Sequence, residues 1–196
     1  MMQLVFLMPL FGSPKDSEYR EAVKLLANGK TKDAIEKLRA IISKHSDHTN
    51  ARVSLAIALM QAQEKPDISS PLTKEALEQL DIAIKTAPKD PVPYFNKGVL
   101  LRNLGLQQEA LKAFEAALEI EERLPLAILH MAEINYELEN WEKSIELAKL
   151  ALIRDPGLES SLGWVRVAMR KAGLLDEDGN AIAKADDDTS WPLRKP

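Results

Sequence analysis

A short pattern that recurs along the chain constrains its fold more than any other feature. In each copy, one small residue lies inside an amphipathic stretch and a second small residue begins the apolar face of the next stretch. The second small residues are Ala34, Ala76, Ala110 and Ser144, at intervals of 42, 34 and 34 residues. Two amphipathic helices per 34-residue period predict a helical solenoid, because a hairpin of this size cannot bury its apolar faces alone.

The copy Pro91–Glu122 shows the pattern most clearly. Its apolar spacing predicts helices over Pro93–Leu104 and Gln107–Glu121. Gly98 lies inside the first of these helices, where glycine costs about 1 kcal/mol relative to alanine. We expect a packing reason for this cost, namely a close approach to the small residue Ala110 on the second helix.

The same reasoning predicts the helices of the other copies. The longest interval exceeds the other two by eight residues, which we place in the polar loop Gln63–Pro71, because surface loops lengthen at little cost. A last amphipathic helix, Ser160–Ala172, is predicted to cap the final apolar face. The other predicted helices are Ser17–Asn28, Thr31–Lys44, Asn50–Gln63, Pro71–Thr86, Leu126–Leu138 and Trp141–Arg154.

These units resemble the tetratricopeptide repeat (TPR), a family of 34-residue helix–turn–helix units. In the unit that begins at Pro91, the family's small, small, large apolar and alanine positions fall on Gly98, Ala110, Phe114 and Ala117. The resemblance implies an all-α fold, a right-handed superhelical solenoid of four TPR units plus a C-terminal capping helix. It divides the chain into an apolar N-terminal arm (1–14), a TPR domain (15–172, with units 15–48, 49–90, 91–124 and 125–158 and the capping helix 159–172) and an acidic tail, expected to be flexible (173–196).

The first helix of each repeat lines the concave face of such a solenoid. The resemblance implies that a partner binds on this face. The residues at the groove positions are mainly apolar and aromatic, which fits capture of a peptide or a helical segment. The alternative for each of these residues is burial in the core. For Phe95, Tyr136 and Trp164 we expect groove and core equally, whereas the core is favoured for the aliphatic positions. The predicted groove residues are Tyr19, Val23, Val53, Ile57, Phe95, Asn96, Val99, Arg102, Leu129, His130, Glu133, Tyr136 and Trp164.

One specific partner class can be tested against the sequence. The resemblance includes TPR domains that clamp the acidic C-terminal tails of heat-shock chaperones with lysines, an arginine and two asparagines. Asn96 fits one clamp position, but a clamp without cations cannot pair two carboxylates, and we reject this interpretation. The residues at the other clamp positions are Val53, Ile57, Leu126 and His130.

The run Met1–Phe11 is the most apolar stretch of the chain. It is about half as long as the ~20 residues that a membrane-spanning helix needs, and it lacks the positively charged start of a secretory signal. Three interpretations stay open: an arm packed on the protein's own surface or on a neighbouring copy, a membrane-surface anchor, and a degenerate export signal. The first allows a homo-oligomer and the second allows membrane contact.

No catalytic, metal or cofactor site is predicted. The net charge of −4 gives no reason to expect a nucleic-acid partner, and the chain has no cysteine for thiol chemistry. His45 and His48 lack the further ligands of a metal site. The run Asp176–Asn180 has its glycine fourth, where a calcium-binding EF-hand loop needs it sixth. This run could instead form the turn of a small hairpin that pairs Leu174-Leu175 with Ala181-Ile182.

These observations predict a non-enzymatic scaffold or adaptor that binds a protein or peptide partner. The alternative is an assembly factor or chaperone-like subunit that Met1–Phe11 attaches to a membrane or to an oligomer. We expect a cytoplasmic location, with membrane-associated and exported locations as the alternatives.

Overall fold

The computed structural model describes residues 17–180 and residue 182. The apolar arm 1–14 and the tail beyond Ile182 therefore lie outside the described residues. Within them the predicted all-α repeat fold is confirmed, and successive helices pack in pairs as hairpins. The helices are α1 (Ser17–Ala27), α2 (Thr31–Lys44), α3 (Thr49–Gln61), α4 (Pro71–Thr86), α5 (Pro91–Asn103), α6 (Gln107–Ile120), α7 (Pro125–Glu137), α8 (Trp141–Arg154) and α9 (Val165–Lys171), with a 3₁₀ helix over Pro156–Ser161.

The described residues divide into two compact units, one that ends at Ile120 and one that begins at Glu121. The first unit contains α1 to α6, and its largest fully buried side chains include Tyr19, Phe95 and Phe114. The second unit contains α7 to α9. The small residues of the repeat pattern are at most 1% exposed, as expected where helices approach closely: Ala22, Ala34, Ala56, Ala76, Ala110, Ala132 and Ser144.

Residues with positive φ end the first helices of three hairpins. Gly29 (φ 73°) follows α1 and Gly105 (φ 76°) follows α5. In each case the next amide bonds back into the helix, as when the Leu106 N–H donates to the Leu101 carbonyl at 3.0 Å. Glu139 takes the same left-handed conformation after α7, with φ 60°. Glycine adopts this conformation without strain, whereas a side chain at Glu139 makes it costly.

The loop between α3 and α4 holds the extra residues of the long interval, as predicted. Gln63 closes the base of this loop, because its Oε1 accepts from the Ser70 hydroxyl at 2.5 Å and from the Thr73 hydroxyl at 3.2 Å. Farther out, Asp67 Oδ1 accepts from the Ser69 N–H at 2.8 Å and from the Ser69 hydroxyl at 2.5 Å. The loop is thus folded on its own hydrogen bonds, and the faces of α3 and α4 stay packed.

The predicted single helix Ser160–Ala172 is wrong. The chain forms the 3₁₀ helix Pro156–Ser161, turns at Gly163 and then forms the seven-residue α9. Asp155 Oδ1 caps the 3₁₀ helix by accepting from the Gly157 N–H at 2.9 Å. This break lets Leu162 turn inward, where it is 0% exposed.

A small hairpin follows α9, as predicted. The Ile182 N–H donates to the Leu174 carbonyl at 3.1 Å, and the Asp176 N–H donates to the Asn180 carbonyl at 2.9 Å. Within the described part of the chain, every helix is too short or too polar to cross a bilayer.

Candidate partner-binding surface

The predicted groove residues of the first unit differ in burial. Packing accounts for the buried apolar and aromatic ones, because such a side chain with almost no exposed surface offers a partner little area to touch. The partly exposed ones keep surface that a partner can bury. The buried residues are Tyr19, Val53, Ile57, Phe95 and Asn96, which are between 0% and 7% exposed. The partly exposed residues are Val23, Val99 and Arg102.

The aromatic members of the buried group hold helices together. The Phe95 ring meets the Phe114 ring edge-on, with centroids 5.7 Å apart and planes at 61°. The Tyr19 hydroxyl lies 3.0 Å from the Ser54 hydroxyl, which joins α1 to α3. The same ring lies 5.0 Å from the His48 ring. These contacts belong to the core of the first unit.

An inner cleft opens between α3 and α5. It has a volume of about 30 Å³, and Met60 from α3 and Asn96, Val99 and Asn103 from α5 line it. A space of this size holds a water molecule or the tip of one apolar side chain. Asn96 is fixed at its wall, because its Nδ2 donates to the Val92 carbonyl at 2.9 Å. That bond leaves its Oδ1 as an acceptor at the cleft.

The second unit brings three aromatic rings together. Tyr136 lies between Trp164 and Trp141, with ring centroids 5.0 Å and 5.4 Å away. All three side chains are partly exposed. The Trp164 Nε1 is buried and has no acceptor among the described residues. The cluster is therefore an aromatic patch with packed inner edges. Tyr136 and Trp164 are among the predicted groove residues, and Trp141 is not.

The other predicted groove residues of the second unit lie on α7. Leu129 is buried, at 6% exposed. His130 Nδ1 lies 3.4 Å from Glu133 Oε2, and both side chains are partly exposed. These polar groups are thus already engaged with each other along one face of the helix.

The matches to known proteins decide the family. Residues 19–67 and 73–125, which together make up more than half of the chain, match the tetratricopeptide repeat model. The chain belongs to the tetratricopeptide repeat family. Membership supports a role for this TPR protein as a protein-interaction scaffold.

A curated relative and two solved structures resemble this TPR protein. The chain is 26% identical over 92 residues to the Hsp70-Hsp90 organizing protein of Triticum aestivum, a match that spans 47% of the chain and only 16% of that relative. A thermophilic TPR protein from Thermus thermophilus is 18% identical, with a TM-score of 0.64 and 82% of each chain covered. YrrB, described as a TPR protein with an unusual peptide-binding site, is 14% identical, with a TM-score of 0.60, 80% of this chain and 76% of that chain covered.

The sequence did not identify several residues that line the inner cleft. Ala56, Leu80 and Leu100 line the cleft beside the predicted residues. Each follows the apolar period of its helix, which is typical of a core position. Their partial access to the cleft depends on the angle between α3 and α5, which the sequence does not encode locally.

One member of the histidine pair caps a helix. His48 Nδ1 accepts from the Ala51 N–H at 3.2 Å, which makes His48 the cap of α3. Among the residues that the structure describes, no group of three His, Cys, Asp or Glu side chains lies close enough to hold a metal ion. In the hairpin after α9, the Asn180 N–H and then its side-chain amide hold the pKa of Asp176 below its usual range.

Proposed function

We propose that this TPR protein is a non-enzymatic adaptor that binds an extended or helical segment of a partner protein on the inner cleft between α3 and α5. The observation that carries the proposal is the composition of the cleft. Partly exposed apolar groups of Met60 and Val99 lie beside the amides of Asn96 and Asn103. Apolar surface with a few fixed polar groups is the usual makeup of a peptide-binding site.

The small volume of the cleft indicates how a segment binds. One aliphatic side-chain tip enters the space of about 30 Å³, and the rest of the segment lies across the exposed surface of α5. The Asn96 and Asn103 amides are placed to bond the main chain of the segment and fix its register. The description of YrrB as a TPR protein with a peptide-binding site is consistent with this mode.

The wheat relative does not extend the proposal to chaperone tails. Its name concerns a protein of which this chain matches only 16%. In this chain, Val53 and Ile57 occupy two positions where a carboxylate clamp has polar or charged groups, and both are buried. A carboxylate brought to that surface meets no cation from these positions, so an apolar segment is the better fit.

A peptide selection tests the proposal. We would pan a displayed library of random peptides on the full chain and measure the enriched peptides by fluorescence anisotropy. Val99→Glu should weaken their binding by about tenfold or more, because it buries a charge against the apolar tip. Asn103→Ala, at an exposed position, should weaken it with no effect on the fold.

The matched control is Ile68→Glu, which places the same charge on an exposed aliphatic residue (47% exposed) in the α3–α4 loop. Thermal unfolding of each variant checks the fold. If Asn103→Ala and a folded Val99→Glu bind the selected peptides as tightly as the unaltered protein, the inner cleft is not the binding site.

A further inference from the structure

The second helices of the first two repeats are joined by an ion pair. Arg39 of α2 donates through Nε and Nη2 to the two carboxylate oxygens of Glu75 of α4, at 3.0 Å and 2.6 Å. The hydrogen bonds that Arg39 donates to Glu75 are the main reason that the pKa of Arg39 is raised. In the repeat register, Arg39 lies five residues after Ala34 and Glu75 lies one residue before Ala76. This bidentate pair links α2 to α4 across the line where the two helices face each other, which we call the outer seam.

The next seam, between α4 and α6, lacks this closure. Asp81 lies five residues after Ala76, and Glu109 lies one residue before Ala110, so two carboxylates occupy the equivalent places. Like charges cannot pair, and Asp81 instead accepts from Lys97 Nζ of α5 at 2.6 Å. An outer groove with a volume of about 750 Å³ remains between α4 and α6, with α5 as its floor.

The outer groove has an apolar interior, and its charged lining carries three lysines against two carboxylates. Leu77 and Ile84 of α4, Leu101 of α5 and the small Ala113 and Ala116 of α6 supply the apolar lining. On the rims, Lys85 extends from α4 and Lys112 extends from α6. Both lysines are exposed, and neither forms an ion pair with the described residues. The lining thus has two uncompensated cations against the one uncompensated carboxylate of Glu109.

The outer groove and the inner cleft lie on opposite sides of α5. Tyr94, Lys97 and Leu101 line the groove, whereas Asn96, Val99 and Asn103 line the cleft. Helical residues advance by about 100° each, so these two stripes point in nearly opposite directions. A ligand in one site therefore does not block the other.

We propose that the outer groove is a second docking site, which takes an acidic amphipathic helix of a partner protein. The aliphatic stripe of that helix packs between α4 and α6, in the way that a helix fills a hydrophobic groove. Acidic side chains on its two flanks pair with Lys85 on one wall and Lys112 on the other. Glu109 repels an acidic residue at its end of the groove, which sets the register of the helix. With both sites filled, one chain bridges two partners.

A pair of designed helical peptides tests this site. One fluorescein-labelled peptide has a leucine stripe with glutamate on both flanks, and the other has lysine in place of each glutamate. We expect the acidic peptide to bind the full chain and the basic peptide to bind weakly or not at all. The double variant Lys85→Glu/Lys112→Glu should weaken binding of the acidic peptide by about tenfold.

The control for net charge is Lys32→Glu/Lys74→Glu, which makes the same change at exposed lysines of α2 and α4 outside the groove lining. Binding of the acidic peptide should survive that change and also Val99→Glu in the inner cleft. The outer site is rejected if the acidic and basic peptides bind equally tightly. It is also rejected if Lys32→Glu/Lys74→Glu weakens binding of the acidic peptide as much as Lys85→Glu/Lys112→Glu does. Loss with Val99→Glu would show that the peptide occupies the inner cleft instead, and would also reject the second site.

Discussion

Gly98 of α5 lies against the ring of Phe114 of α6. A Cβ atom on Gly98 would lie 2.7 Å from Cε1 and 2.8 Å from Cδ1 of that ring, closer than carbon atoms approach without strain. The repeat pattern alone points to Ala110 as the reason for this glycine. The structure instead assigns the reason to Phe114, which is 0% exposed and also touches Phe95.

Gly98→Ala should therefore destabilise the protein even though alanine favours a helix. We expect the free energy of unfolding to fall by about 1–3 kcal/mol, because the methyl group overpacks a buried ring that cannot move outward. Urea denaturation followed by circular dichroism measures the change. Gly163→Ala is the control, since nothing lies within 4 Å of the added methyl. A Gly98→Ala protein as stable as the control would contradict the close contact.

Glu139→Gly should stabilise the protein. Glu139 has φ 60° in the turn where the preceding repeat has Gly105 at φ 76°. Glycine removes the steric cost of the left-handed conformation, and we expect the free energy of unfolding to rise by about 1 kcal/mol. Gly105→Glu, the reverse change 34 residues earlier, should lower it by a similar amount. Thermal melts of both variants test the pair, and shifts in the same direction would refute the argument.

Phe95→Ala should show that this side chain belongs to the core. Phe95 is 1% exposed and packs on Phe114, so its removal leaves a cavity and should cost about 3–5 kcal/mol. Val99→Ala, one turn along α5 and partly exposed, should cost far less. Chemical denaturation of both proteins measures the difference. A small loss for Phe95→Ala would restore its predicted place on a binding surface.

Ser69→Ala should raise the pKa of Asp67. The Ser69 hydroxyl, and then its N–H, bond the Asp67 carboxylate and hold its pKa below the usual range. A depressed pKa stabilises the folded state above the unfolded pKa of about 3.9, and that contribution is lost as the pH falls through the lower folded value. NMR titration of the carboxyl carbon follows the shift. The pKa of Asp176, held down by Asn180, should not change in this variant.

Deletion of Met1–Gly12 tests the alternative function. Thermal unfolding of the shortened protein first checks that the helices from Ser17 onward still fold. Analytical ultracentrifugation and sedimentation with anionic lipid vesicles then compare the two proteins. Loss of a larger species, or of vesicle binding, would support attachment through the apolar run. Identical behaviour in both assays would remove that alternative.

The repeat period was enough to predict most of the helices but not their side-chain neighbours. The predicted bounds of Thr31–Lys44, Pro71–Thr86 and Trp141–Arg154 agree with the structure, because apolar spacing and flanking proline or glycine define helix ends locally. Burial of Phe95 could not be separated from exposure in a groove, since one apolar spacing serves both. The contact of Gly98 depends on how α6 rotates against α5, which only packing decides.

The outer groove was missed for a related reason. Tyr94, Lys97 and Leu101 form a stripe at helical spacing that the sequence shows plainly. The opening above that stripe depends on Asp81 and Glu109, which occupy the positions that Arg39 and Glu75 hold one repeat earlier. A comparison of charges between repeats, position by position, would have revealed the missing ion pair.

The closure of the α3–α4 loop by Gln63 has a practical consequence for labelling the protein. Because Gln63 bonds Ser70 and Thr73 beneath the loop, the residues beyond this closure are separated from the helix pair. A short reporter peptide or a dye-bearing cysteine placed between Lys65 and Pro66 would extend into solvent and leave both helices in place. Since the chain has no cysteine of its own, a dye on the introduced cysteine would be the only label, and its fluorescence would report partner binding.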